Sequence, residues 1–151
     1  MYDTKLILKK LQESMTTNGE IHKRYYHSLE VANIALKLNE HLNLKLDETI
    51  VYLASILHDC AKLYSKDKLW DILVEFKDIL NLESIKNYPS IWHSFAGKKV
   101  AKDYYNINDD IYYVDLPGYG YANANENVKA QWGKMIEDYL HNSEMLRAVF
   151  L

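Results

Sequence analysis

The stretch ASILHDCAKL, residues 54–63, is apolar enough for the inner face of a helix. It nevertheless carries an imidazole and a carboxylate side by side, His58 and Asp59, with Lys62 three positions on. On a helix, neighbouring side chains diverge by about 100° but sit only about 1.5 Å apart along the axis. Both can therefore reach one point in an adjoining cleft. A neutral imidazole nitrogen and a carboxylate oxygen suit a borderline or hard divalent cation. Such a cation needs more than two ligands. His27, in RYYHSLEVANIA, falls near the start of the preceding helix. Antiparallel packing of consecutive helices brings the start of one beside the end of the other. Three side-chain ligands plus water make an open site.

The elements that must position these residues are mostly helical. Asp3 is placed to cap a first helix with Leu6, Ile7, Leu8 and Leu11 on its apolar side. TTNG, residues 16–19, breaks it. A long second helix is expected from about Glu20 to His41, with Leu29, Ala32, Ile34, Ala35, Leu36 and Leu38 among its apolar positions. Asp47 caps a third, which ends near His58. Ser65 opens a fourth, SKDKLWDILVEFKDIL, with Phe76, Ile79 and Leu80 continuing its inner face. Pro89 marks a boundary, and Ser90 is placed to cap a fifth, SIWHSFAGKKVAKDYY.

Composition narrows the classes. Hydrophobic residues make up 48% and charged residues 26% of 151, ordinary for a soluble domain with one core. The net charge of −3 gives no basic surface for DNA or a membrane. Apolar runs are too short to span a bilayer, and MYDTKLILKKLQ is charged and amphipathic with no cleavage site, so no signal peptide is expected. One cysteine, Cys60, excludes a disulfide within a single chain and fits a reducing cytoplasm. A lone histidine near a helix end is most often a core residue or a dipole partner. On that basis His22, His41 and Cys60 read as surface, surface and core.

His27 followed by ILHDCAK on the next helix resembles the HD-domain metal phosphohydrolases, and IWHSFAGKKVAKDYYNI, residues 91–107, extends the likeness. Together these motifs are most similar to the bacterial YqeK-type members, which are similar to symmetrical diadenosine-tetraphosphate hydrolases. The resemblance covers about residues 1–110. It implies an all-helical fold and a bound divalent metal, iron first, with manganese, magnesium or zinc as alternatives. It also implies hydrolysis of a dinucleoside tetraphosphate to two nucleoside diphosphates. Carried over by position, it makes His27, His58 and Asp59 metal ligands. Lys62 then holds a phosphate, and His93 lies at the phosphate or second-metal side. Asp59, Lys62 and His93 form the catalytic set. A metal lowers the pKa of bound water and polarises a phosphoryl oxygen. Lys62 is placed to neutralise developing charge, and His93 to bind a phosphate or protonate the leaving oxygen. The family's downstream histidine and final aspartate, in H-T-T-G and A-D-Y-I-E-like segments, have no counterpart string here. Asp115 and His141 are the nearest substitutes, and nothing in their spacing favours them. Metal held by three side chains, with reduced affinity, is the expectation.

The character of the chain changes after residue 110, where three of its five glycines lie. IYYVDL reads as a strand, PGYGYANAN as a loop, ENVKAQWGKMIEDYLHN as an amphipathic helix and MLRAVFL as a second strand. VDLPGYGYA resembles the Asp-x-x-Gly motif of translation-type GTPases. The wider wording, with WGKMIEDYL and LRAVFL, is similar to the EngB/YsxC family of ribosome-assembly GTPases. By position the resemblance gives Asp115 a water-mediated contact to Mg²⁺ and Gly118 a backbone contact to the γ-phosphate. No Walker string, G-x-x-x-x-G-K-[ST], and no N-K-x-D string accompany them.

The expected fold is mainly α. An HD-like bundle of about five helices occupies residues 1–110 and lacks the family's C-terminal part. A small strand–loop–helix–strand fragment, residues 111–151, follows and packs on it. The expected activity is that of a metal-dependent phosphohydrolase, a hydrolase of acid anhydrides, weakened by its missing ligand. The alternatives are a GTP-binding, ribosome-assembly-related module through the DLPG segment, or an inactive chimeric helical protein. Expected partners are a nucleotide polyphosphate and a second copy of the chain joined through the C-terminal fragment, with no DNA and no membrane.

Overall fold

In the computed structural model, which describes residues 2–75 and 82–107, the helices begin where short polar side chains offer an acceptor. All of these residues lie in the first of two units into which the chain divides, Met1–Asp115, the second being Leu116–Leu151. Asp3 Oδ1 accepts the Leu6 N–H at 3.0 Å and opens α1, Thr4–Ser14, which buries Ile7 and Leu11. Asp47 Oδ1 does the same for Ile50 at the start of α3, Glu48–Leu57, and Ser65 Oγ for Lys68 at the start of α4, Lys66–Val74. These caps are where the sequence places them.

TTNG does more than break α1. Thr16–Thr17 (β1) and Glu20–Ile21 (β2) pair antiparallel, Thr16 opposite Ile21 and Thr17 opposite Glu20. Asn18 and Gly19 turn the chain with φ of 54° and 83°. Two successive left-handed residues are what the tightest hairpin turn requires, and Asn-Gly tolerates them best. Helix α2 therefore starts later than Glu20. It spans Lys23–His41, and its cap is His22, whose side chain accepts the Arg24 N–H at 3.2 Å.

The inner face of α2 is made of small and polar residues: Tyr25, Ser28, Ala32, Ala35 and Asn39, spaced alternately by three and four. Ile34, expected inside, is 57% exposed. Small residues let α3 approach closely, and these two helices form the most extensive helix pair among the described residues. Asn39 fixes their connection. Its Nδ2 donates to the Leu46 carbonyl at 3.0 Å and its Oδ1 accepts the Leu46 N–H at 3.1 Å.

After Leu57 the chain leaves the regular helix. Cys60, Lys62 and Tyr64 each donate a backbone N–H three residues back, to Leu57, Asp59 and Ala61. Residues 58–64 are thus a succession of tight turns, and Asp59 and Lys62 sit on them rather than on a helix. Phe76, Ile79 and Leu80 lie outside the described residues. A single helical turn, α5, spans Leu82–Ile85, and a 3₁₀ turn follows at Pro89–Ile91. The last described helix, α6, is Trp92–Tyr105. Ser90 does not cap it. Pro89 draws Ser90 into the 3₁₀ turn, and the cap position falls to Ile91, whose side chain makes no capping bond. Trp92 instead ties the entry down, donating Nε1–H to the Ile85 carbonyl at 2.8 Å and stacking on Trp70 of α4.

Leu11, Met15, Leu53, Ile56, Leu57 and Leu73 are the largest fully buried apolar side chains. Five helices of nine to nineteen residues, the short α5, one 3₁₀ turn and one two-stranded hairpin make up the regular structure among the described residues. The mainly helical bundle is as expected. None of these helices is long and apolar enough to cross a membrane. The expected strand, loop, helix and strand of residues 111–151, with their expected dimer contact, lie outside the described residues.

Candidate metal centre

Four short pieces of chain meet at one buried carboxylate. The first turns of α2 carry Arg24 and His27, and the end of α3 leads into His58. The following turn supplies Asp59 and Lys62, and the first turn of α6 supplies His93 and Ser94. Asp59 is 1% exposed and belongs with the most deeply buried side chains of the protein. A carboxylate removed from water this completely needs positive or donating neighbours. One oxygen has them. Arg24 Nη1 donates to Oδ2 at 2.7 Å, and His58 Nε2 lies 3.6 Å from the same oxygen. The other oxygen, Oδ1, has no hydrogen-bond partner among the described residues and faces His93 Nε2 at 3.6 Å.

His58 is oriented by its own backbone. Its Nδ1 sits 2.7 Å from the Ser55 carbonyl oxygen. A carbonyl only accepts, so Nδ1 carries the proton, and in the neutral ring Nε2, facing Asp59, is the nitrogen left to ligate. This is the usual second contact of a metal-binding imidazole. His27, exposed on α2, meets His58 edge to face with ring centroids 5.4 Å apart. His27, His58 and Asp59 each bring a ligand atom within 4.8 Å of the other two. Neighbouring ligands of a divalent cation stand about 3–3.6 Å apart at bond lengths near 2.1 Å. The trio is thus grouped near coordination spacing and would draw inward to hold a cation. The donor set fits a divalent metal on two independent grounds: a buried acceptor with no hydrogen-bond partner among the described residues, and an imidazole whose Nδ1 is already engaged by a backbone carbonyl.

Lys62 and His93 flank this trio. Lys62 Nζ is 2.7 Å from His93 Nε2, and Ser94 Oγ is 3.3 Å from the same nitrogen. Lys62 has only protons to give, so His93 Nε2 is the acceptor there. Cys60, between Asp59 and the core, takes no part. Burial, and then the negative charge of Asp59, push its thiol up to about 12, and its Sγ leans on the Gly97 carbonyl at 3.7 Å. That contact ties the 58–64 turns to α6 and so places His93.

The structure thus gathers His27, His58, Asp59, Lys62 and His93 into one region. Asp115, Gly118 and His141 lie outside the described residues. One participant is added that the sequence reading left out, Arg24. Its position three residues before His27 puts it on the same face of α2, which was the available signal. His22 is a helix cap rather than a plain surface residue.

Comparison with known proteins agrees with this geometry. The family model of the HD domain matches residues 24–126, which include Arg24, His27, His58, Asp59, Lys62 and His93. The chain belongs to the HD domain family. A second likeness is confined to a shorter stretch. Over 58 residues, 38% of the chain, it is 62% identical to a protein of Lachnospira eligens named "Probable GTP-binding protein EngB". The proteins of that name from Lachnoclostridium phytofermentans and Streptococcus mutans are 51% identical over 58 residues and 53% over 56. These stretches cover 28%, 29% and 28% of the three relatives, so the chain spans less than a third of the curated proteins it matches. No solved structure matches the chain.

Proposed function

We propose that this HD domain is a metal-dependent phosphohydrolase that cleaves a phosphoanhydride bond of a nucleotide polyphosphate. A dinucleoside tetraphosphate split into two nucleoside diphosphates is the specific substrate we favour. The observation that carries the proposal is the convergence of His27, His58 and Asp59 within 4.8 Å of one another, at a buried carboxylate whose second oxygen, Oδ1, has no hydrogen-bond partner among the described residues.

His58 Nε2, Asp59 and one imidazole nitrogen of His27 would hold the cation. Iron leads by family resemblance, and two imidazoles with one carboxylate equally suit manganese or zinc. When bound, such a cation polarises a phosphoryl oxygen and acidifies water. The protein's own contribution lies beside it. Lys62 presents a positive charge next to Asp59, where the polyphosphate's negative charge needs a counter-ion. His93 Nε2 stands 3.6 Å from one carboxylate oxygen of Asp59 while Arg24 holds the other. The same His93 nitrogen, which accepts from Lys62 in this arrangement, would have to take up a proton before passing one to the leaving oxygen. Asp59 and the wholly buried Leu57 and Ala61, two residues to either side of it in the chain, keep this stretch out of water.

The test is elemental analysis of protein purified without chelator, followed by release of nucleoside diphosphate from dinucleoside tetraphosphate. Metal bound in near-stoichiometric amount and turnover that is lost with it support the proposal. A chain that holds no metal when offered iron, manganese or zinc ends it.

A second activity is favoured by the match to proteins named as GTP-binding. In it, Asp115 would reach Mg²⁺ through water and Gly118 would offer its backbone N–H to the γ-phosphate of GTP. The chain contains no Walker string to cradle those phosphates. Equilibrium binding of a fluorescent GTP analogue to the intact chain, competed by GTP, tests it directly.

A further inference from the structure

Building on the cation site proposed above, we infer that Arg24 is a resident counter-ion which Asp59 exchanges for the metal, so that Arg24 governs how readily the site loads. Asp59 is too deeply buried to stand alone in a folded, metal-free chain, since an unpaired interior carboxylate is strongly destabilising. Arg24 meets that need at 2.7 Å. The oxygen it holds is Oδ2, the one 3.6 Å from His58 Nε2. The guanidinium therefore stands on the edge of the metal-binding trio, not behind it. A dication arriving there meets a fixed positive charge on the same oxygen, and in a partly desolvated site that repulsion is large.

The two partners differ in freedom. Asp59 is walled in, whereas the Arg24 side chain is 36% exposed and lies at the outer end of α2. Arg24 can turn its head into water without unpacking the core. Its backbone stays put, because its own N–H is held by the His22 cap. Arg24 also sits where a cation is otherwise unfavourable. The first turn of α2 has no acidic residue, and the positive end of the helix dipole lies there. The Asp59 contact offsets that cost, and a metal on Asp59 removes the offset. Because a guanidinium never loses its charge, Arg24 itself adds no pH dependence to the exchange.

Manganese(II) titrated calorimetrically into chelator-stripped, dialysed chain provides the test, with wild type, Arg24→Gln, Arg24→Lys and His58→Ala compared. Arg24→Gln is expected to bind at least about tenfold more tightly than wild type. Its metal-free form is expected to melt at a lower temperature than metal-free wild type. Arg24→Lys, whose ammonium is more strongly hydrated and leaves more readily, is expected to bind about threefold more tightly, and it decides the matter if the glutamine variant does not fold. Unchanged affinity in both variants makes Arg24 a bystander and overturns the inference. A loss of about 10- to 100-fold makes it a residue that orients the carboxylate, and overturns it equally. If wild type and both Arg24 variants bind no manganese, or if binding survives His58→Ala, the cation site itself is wrong.

Discussion

His58 Nδ1, at the C-terminal cap of α3, lies 2.7 Å from the carbonyl oxygen of Ser55 in the last turn of that helix. That single contact selects the tautomer of the ring and turns Nε2 toward Asp59. Ser55 is held in turn, its hydroxyl donating to the Val51 carbonyl at 2.8 Å. The helix that carries the ligand therefore also sets its chemistry.

His58→Ala should remove the ligand without disturbing the core, because the side chain is partly exposed. Metal affinity is expected to fall by at least about 100-fold, the cost of losing one of three protein ligands together with its support. Calorimetric titration with manganese measures the loss, and an unchanged far-ultraviolet circular dichroism spectrum shows that the fold is intact.

Lys62→Met and His93→Ala should separate metal binding from chemistry. Neither residue is in the trio, so metal content should stay near that of wild type. Turnover of dinucleoside tetraphosphate should fall by about 10²- to 10⁴-fold for His93→Ala if His93 transfers a proton. For Lys62→Met the larger part of the change should appear in KM, since a phosphate counter-ion contributes to binding before the transition state. Steady-state kinetics at matched metal loading resolves the two.

Asn39→Ala should be costly despite its distance from the site. Two hydrogen bonds to Leu46 are lost in a buried position, worth together about 2–3 kcal/mol. Urea unfolding of the metal-free chain, at constant slope, is the measurement. Asn39→Asp should recover little, since a carboxylate accepts from the Leu46 N–H but gives nothing to its carbonyl.

The Cys60 thiol is held protonated by burial and by the negative charge of Asp59, up to about 12 against an ordinary 9.0. In the unfolded chain the same thiol ionises from about pH 9. A folded-state value raised in this way contributes stability that is fully present below pH 9 and is lost as pH climbs toward 12. Cys60→Ala should therefore flatten the fall of the melting temperature across that alkaline window. Native protein should also leave Ellman's reagent unreacted at pH 8 until it is unfolded. Tyr105, raised by burial as well, acts in the same sense from about pH 10 upward.

Much of this was visible in the amino acids where the interaction is local. Asp3, Asp47 and Ser65 cap helices because a short acceptor followed by a helix-forming segment has few other uses. The meeting of His27 with His58 and Asp59 followed from one step beyond local reasoning, the antiparallel packing of consecutive helices. What escaped depended on exact backbone geometry. Asn18-Gly19 carries a hairpin signature, yet two-residue strands leave no alternation to read. Ser90 has the right side chain for a cap, but Pro89 takes it into a 3₁₀ turn. Ile34 seemed a core residue until the small residues of α2 claimed the contact with α3. Arg24 was hidden for another reason. Nothing in a sequence states which cation will settle on a buried carboxylate.

The clamp that Asn39 makes on Leu46 sits at the far end of α2 from His27, about 18 Å away along a straight helix of twelve intervening steps. The two ends of this helix are thus separate addresses. Labels, affinity handles or short insertions placed among residues 42–45 would ride on a rigid strut, reporting on the site without touching it.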